Sequence, residues 1–202
     1  MTSYARFSVE ERRAHLLELG LRLFGSRPYD EISIEEIAQT AGVSKGLLYH
    51  YFPSKRDFYV ACLEEAATDV RRTLRSDRSL RPADQVRAVL SAYLDHVSAN
   101  LPEWQTLLRG GIGSDPEVIE ITEATRRAVW TRMLDDLGAS SQEHLLRAAL
   151  RGWISFVETA ALDWAESGAR DKEELIEVMV AVLAAVVRRS QPVAVAAGGS
   201  RA

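Results

Sequence analysis

Between Ser33 and Lys55 the chain reads SIEEIAQTAGVSKGLLYHYFPSK, two short helical patterns joined by a turn too tight for an ordinary connection. Ser33 stands as an N-cap with Glu36 at the capping-box spacing, and Ile34, Ile37, Ala38 and Ala41 recur at helical intervals on one inward face. Gly42 follows the last periodic residue, where the absence of a Cβ permits positive φ, and Val43 behind it fits the angle between two helices. Ser44 restarts the helix as an N-cap. Leu48, Phe52 and part of Tyr51 then return to the core, which leaves Lys45, Gly46, Leu47, Tyr49 and His50 outside. The pattern is that of a helix-turn-helix, and the outward residues are a candidate recognition surface for double-stranded DNA.

In that geometry a recognition helix enters the major groove N-terminal end first. Gly46 leaves room for close approach, Lys45 suits guanine O6 or N7 or a phosphate, and Leu47 suits a thymine methyl. Ser33 and Ser44, at helix N-termini, and Lys55, at the start of the next helix, are placed for phosphate. A solvated helix face is the alternative reading of Lys45.

The same residues resemble the TetR family of bacterial one-component transcriptional regulators: Ser33, Ile37-Ala38, Ala41-Gly42-Val43-Ser44, Leu48-Tyr49, Tyr51-Phe52 and Lys55 stand in that family's pattern, extended upstream by Leu16, Leu17, Leu23 and Phe24. The resemblance covers the first third of the chain; beyond about Glu65 it is one of helical layout and length. It implies that Tyr49 contacts base or sugar-phosphate, that His50 donates to phosphate, and that Lys55 is the family's phosphate lysine. It further implies a homodimer on a palindromic operator, released by a small-molecule effector, with a repressor as the expected sense.

Net charge is −4, which by itself argues against a nucleic-acid partner. Its distribution softens the objection, because Lys45, Lys55 and Arg56 run without an acid until Asp57. The positive face is expected to be small, so that affinity depends on a dimer doubling the contacts. With 47% apolar residues, sparse Gly and Pro and no alternating β-branched run, the fold is expected to be all-α, about nine helices in total.

Residues 1–54 are read as the helix-turn-helix domain, with Arg6 in a loose arm and a first helix capped by Ser8; Gly25 to Glu31 is a turn. Residues 55–190 are read as an effector-binding and dimerisation domain in which 55–75 is the connecting helix, and 191–202 as a flexible tail. Further helices are expected over Pro82–Asn100, from Pro102 up to Gly110, Gly111 and Gly113, and over Pro116–Leu137, Ser141–Ser167 and Asp171–Arg189. The Ser141–Ser167 segment has two apolar rows. One is rich in aromatics, and the other is made mostly of small residues: Leu145, Ala148, Gly152, Ser155, Thr159 and Leu162. The Asp171–Arg189 segment is apolar nearly all round. Surface of that extent asks for a second chain, and a four-helix bundle with the partner's copies is what the family resemblance implies.

Candidate effector contacts are Tyr93, His96, Val97, Trp104, Leu108, Trp130, Met133, Trp153, Phe156 and Glu158, each with a packing reading beside the binding one. As a set they suggest a largely apolar effector, with Glu158 or His96 orienting a polar group. No catalytic residue, metal site or cofactor is expected: His15, His50, His96 and His144 lack metal spacing, and there is no phosphate loop or nucleophile elbow. The single cysteine, Cys62, excludes an internal disulfide, MTSYARFSVEER lacks the apolar core of a signal peptide, and Val178–Val187 is too short to span a bilayer; a cytoplasmic protein is expected.

Overall fold

A computed structural model describes residues 8–74, 77, 79–102, 104–105, 115–139, 144–168 and 170–190. Among these are eight α-helices and no strand: α1 Val9–Ser26, α2 Ile34–Thr40, α3 Lys45–Tyr51, α4 Lys55–Thr73, α5 Pro82–Ala99, α6 Pro116–Asp136, α7 His144–Ser167 and α8 Lys172–Ser190, with a 3-10 turn at Tyr29–Glu31. The ninth helix expected from Pro102 is seen at residues 101, 102, 104 and 105; Leu108 and the three following glycines, like Arg6 and the tail, lie outside the described residues. No described helix is long and apolar enough to cross a membrane.

Serine caps open each of the first four helices, but the reciprocal box closes at Ser8 rather than at Ser33. The Ser8 hydroxyl accepts from Glu11 N (3.1 Å), and the Glu11 carboxylate accepts from Ser8 N (2.8 Å). Ser33 accepts from Glu36 N, yet the Glu36 side chain is taken instead by Arg27, nine residues upstream, so only half of the expected box forms. After α2, Gly42 adopts φ 66°, with Gly42 N donating to Gln39 O and Val43 N to Ala38 O (both 3.0 Å). That is the paired bonding of a Schellman end, and it folds α3 back sharply enough for Leu48 to reach the core.

Two main apolar cores result, and α4 belongs to both. The first gathers Leu16, Leu17, Phe24, Ile37, Leu48 and Phe52 around Phe58 and Tyr59 of α4; the second gathers Tyr93, Leu94, Val97, Trp104, Trp153, Val157, Ala161 and Met179 around Val70. A smaller third cluster joins Leu134 of α6 to Leu146 and Leu150 of α7. Trp153 Nε1 donates to the Met179 carbonyl (2.9 Å), tying α7 to α8. Cys62 is fully buried against α1, and burial pushes its thiol up, so it is packing material rather than a nucleophile.

The first core is fixed to the second half of the chain on both sides of α4. Arg56 donates to both Asp115 oxygens (2.6 and 2.7 Å) and pairs with Glu117 (2.9 Å), while Asp115 also caps α6. On the other side Gly25 lies against Pro102 so closely that a Cβ at Gly25 would stand 2.4 Å from the Pro102 backbone.

Two outcomes follow from this packing. A Cβ at Gly20 would meet Phe58 Cζ at 2.5 Å and Cys62 Sγ at 2.6 Å. Gly20→Ala should therefore destabilise the protein by about 1–2 kcal/mol in chemical denaturation, the overpacking exceeding the gain in helix propensity; a variant as stable as wild type would refute the close approach. Arg56 holds the Asp115 carboxyl below its ordinary range, chiefly by hydrogen bonding, against an opposing contribution from burial. A carboxyl depressed on folding stabilises fully above its unfolded value of about 3.9 and loses that contribution as pH falls through the folded value. Denaturation midpoints of wild type and Arg56→Ala should thus differ at pH 6 and converge in acid, as pH falls through the depressed folded value of Asp115.

Candidate nucleic-acid interface and effector core

Complete burial of Leu48 sets the rotation of α3, and with it the outward face. Lys45, Gly46, Tyr49 and His50 are exposed, Tyr49 at 44%, while Leu47 and Tyr51 are half-buried and the His50 ring packs edge-on against Tyr51 at 5.6 Å. Ser33 and Ser44 are exposed and cap their helices, Ser44 accepting from Leu47 N (3.1 Å). A Cβ at Gly46 would meet only Ser44 Oγ, at 3.9 Å. Packing within the chain therefore gives no reason for a glycine there, although glycine inside a seven-residue helix costs about 1 kcal/mol relative to alanine.

The cations are arranged otherwise than their sequence neighbours suggest. Lys45, expected to face outward without a nearby acid, forms an ion pair with Glu35 of α2; this hydrogen bond is the main reason the Lys45 pKa is raised and the Glu35 pKa lowered. Lys55, half-buried, places Nζ 4.0 Å from the centre of the Tyr29 ring. Arg56 is held by Asp115 and Glu117, 59 and 61 residues away in the chain. All three cations of the run that looks unopposed thus have a partner inside the protein. Arg13, which the sequence did not single out, lies over the Phe52 ring at 5.5 Å.

The effector candidates are placed as follows. Tyr93, Val97, Trp104 and Trp153 are buried in the second core, and Trp130, Met133 and Phe156 are half-buried against it. His96 is half-buried beside Trp104, ring centres 6.0 Å apart. Glu158 is half-buried and accepts three hydrogen bonds from Arg126 of α6 (2.8 to 3.1 Å). Arg126 was not legible as a site residue, since its spacing on α6 matches that of the surface arginines around it; the Glu158 partner comes from α7, 32 residues on. A cavity of about 40 Å³, room for little more than a water or two, lies among Leu21, Asp69, Val70, His96, Asn100 and Trp104, where α1, α4 and α5 meet. A wider cleft of about 560 Å³ between α1, α4 and α6 carries charges of both signs, Arg13, Glu64, Glu65, Arg71, Glu117 and Glu120. Among the described residues no three His, Cys, Asp or Glu side chains converge as for a metal ion.

Comparison with known proteins accords with this architecture. Residues 16–62 match the family described as bacterial regulatory proteins, tetR family, and residues 82–186 match the tetracyclin repressor-like C-terminal domain. A tetR-family transcriptional regulator from Streptomyces coelicolor superposes with a TM-score of 0.79 at 33% identity, over 91% of this chain and 83% of that one. The transcriptional activator FasR of Mycolicibacterium smegmatis is 28% identical over 181 residues, 85% of this chain and 81% of the relative. The regulator FadR of Bacillus subtilis, in complex with stearoyl-CoA, shares the fold at 15% identity with a TM-score of 0.61, over 86% of this chain and 97% of that one. Three further regulators are matched over 45%, 43% and 39% of their own length. With both halves matched in register and the helix-turn-helix in place, the chain belongs to the TetR family of transcriptional regulators, DNA-binding proteins rather than enzymes.

Proposed function

We propose that two copies of this chain bind a palindromic operator through α3, and that a small, largely apolar effector in the second core shifts the pair away from the DNA-binding arrangement. The observation that carries the reading is the face of α3: Gly46, which nothing among the described residues requires, beside the exposed Tyr49 and His50. In this reading Lys45 and Gly46 approach base edges, Leu47 meets a thymine methyl, and Tyr49 and His50 contact base and backbone. Ser33, Ser44 and Lys55 contact phosphate. The Ser33 and Ser44 oxygens accept from their own helices, which leaves each hydroxyl proton free to donate. Residues 1–54 act as the reading head, 55–190 as the effector and dimerisation domain and 191–202 as a tail, in the cytoplasm.

Dimerisation has its own support. Leu145 is 67% and Val178 47% exposed, Ala148, Gly152, Ser155 and Thr159 form an exposed row of small side chains on α7, and Ala181, Val182 and Ala185 continue the apolar face on α8. A Cβ at Gly152 would touch nothing among the described residues, so close approach of a second copy is the physical reason for it. Leu162, the last member of that row, is buried within the chain and takes no part.

Effector and operator are coupled through α4. Its buried residues belong to both cores, with α6 packing against both as well through Val118 and Ile121 and through Trp130 and Met133, and the Arg56 and Gly25 contacts carry movement of the second core to the head. An effector acts to the extent that it binds the DNA-incompetent arrangement more tightly. Release of a repressor is the leading reading. The similarity to FasR, named an activator, favours the opposite sign as a second reading, and a promoter-reporter assay with and without the gene distinguishes the two.

Retention on DNA from the gene's own upstream region should weaken with salt, and Tyr49→Ala should lower sequence-specific affinity by about 1–3 kcal/mol, roughly five- to 150-fold. Gly46→Ala should move stability and function in opposite directions, raising stability by up to about 1 kcal/mol while weakening operator binding. A Tyr49→Ala variant that binds as wild type would remove the reading. The double variant Val178→Glu, Val182→Glu should halve the mass seen by light scattering and abolish operator binding; an unchanged dimer places the interface elsewhere.

A further inference from the structure

The second core contains polar groups that apolar packing does not require. Tyr93 of α5 is 5% exposed and its hydroxyl has no hydrogen-bond partner among the described residues; the same holds for the buried Trp164 Nε1 of α7, packed against the same core. Native cores rarely leave such groups unpaired. Within electrostatic reach of the Tyr93 hydroxyl, Arg126 of α6 and Glu158 of α7 form their pair, so three helices contribute to one polar cluster.

The hydrogen-bonding capacity left over in this cluster is mainly that of donors. A guanidinium has five N–H groups. Nε and one Nη2 proton of Arg126 serve Glu158 and one Nη1 proton serves Glu123 (2.9 Å), which leaves two. The Tyr93 O–H adds a third. Charge is already balanced, because Arg126 faces Glu158 and Glu123, and Glu123 in turn faces Arg151 (3.5 Å). A cation brought here meets a carboxylate already taken by Arg126, and a carboxylate must displace Glu158 or remain buried without a counter-charge. Burial, reinforced by Glu158 and opposed by Arg126, raises the Tyr93 pKa, so its hydroxyl remains a donor at physiological pH.

We infer that the effector is an apolar molecule bearing an uncharged acceptor oxygen, such as an ester, thioester, amide or ketone carbonyl, and that this oxygen accepts a hydrogen bond from Tyr93 beside the Arg126–Glu158 pair. The inference rests on the second core being the effector domain, and it names the chemistry of that site. Trp104 is the side chain in the way: it lines the small cavity at His96 and Asn100 and meets the Tyr93 ring edge-on at 5.1 Å. The cavity therefore lies one side chain away from Tyr93.

The test titrates the full chain with methyl decanoate, decanoate and decylamine, followed by tryptophan fluorescence, for wild type and Tyr93→Phe. The ester should bind about tenfold more tightly than either charged analogue, and Tyr93→Phe should weaken ester binding about fivefold or more. Since the hydroxyl has no structural partner, the thermal midpoint of Tyr93→Phe should equal or exceed that of wild type. Equal ester binding by the variant, no ester binding at all, preference for a charged analogue, or a midpoint lowered by several degrees would each overturn the inference. Operator retention without any probe, measured on the same preparations with Tyr49→Ala as control, separates the two levels. If retention is intact and Tyr49-dependent, only the effector chemistry falls; if it is absent, the regulator reading falls with it.

Discussion

At Gly20 the backbone of α1 comes so near to Phe58 and Cys62 that no larger residue fits without displacing one of them, and the rest of the molecule depends on that approach. It brings Leu16, Leu17 and Phe24 onto α4 and allows the aromatic contacts of Phe24 with Tyr59 and of Phe52 with Phe58, ring centres 4.8 Å apart in both cases. The helix-turn-helix has little to hold it besides this surface. Its two helices are seven residues each, too short to be stable alone, and their shape is borrowed from the α1–α4 pair.

Because α4 continues past this contact into the second core, one rigid element is shared by two sets of apolar neighbours. Arg56 and Gly25 fasten the head on either side of it, the first by charge and the second by contact. Close packing of this kind is what lets a shared helix pass displacements from one core to the other. The same shared helix also makes the junction between the halves the place where a cavity persists, between Leu21 and Trp104.

Electrostatics works against the head more than the order of residues suggests. Glu35, Asp115 and Glu117 reach the cations at α3 and at the start of α4, so a phosphate must compete with carboxylates already in place. In the proposed reading, shape and hydroxyl donors at α3 therefore carry a larger share of recognition than net charge does, in keeping with a chain of net charge −4.

Much of the fold was legible because its signals are local. The serine caps, the Gly42 turn and the 3.6-residue periodicity of Leu16 to Phe24 are each set by a few neighbouring residues, and the helices start where those signals place them; at its far end α1 runs on through Gly25 to Ser26, where the sequence suggested a turn. The outward face of α3 was legible for the same reason, since Leu48 alone orients it. Glu36 was misread because a closer competitor for its carboxylate, Arg27, comes from a segment that only folding brings near. The partners of Lys45, Lys55 and Arg56 were hidden likewise, as were Arg126 for Glu158 and the isolation of the Tyr93 hydroxyl. By itself the sequence determined the main helices, their serine-capped starts and the face that α3 presents, because backbone propensity and amphipathic period act over a few residues. The tertiary structure alone decided which charges cancel and which buried donors go unpaired, because side-chain electrostatics depends on distance in space and not on separation along the chain.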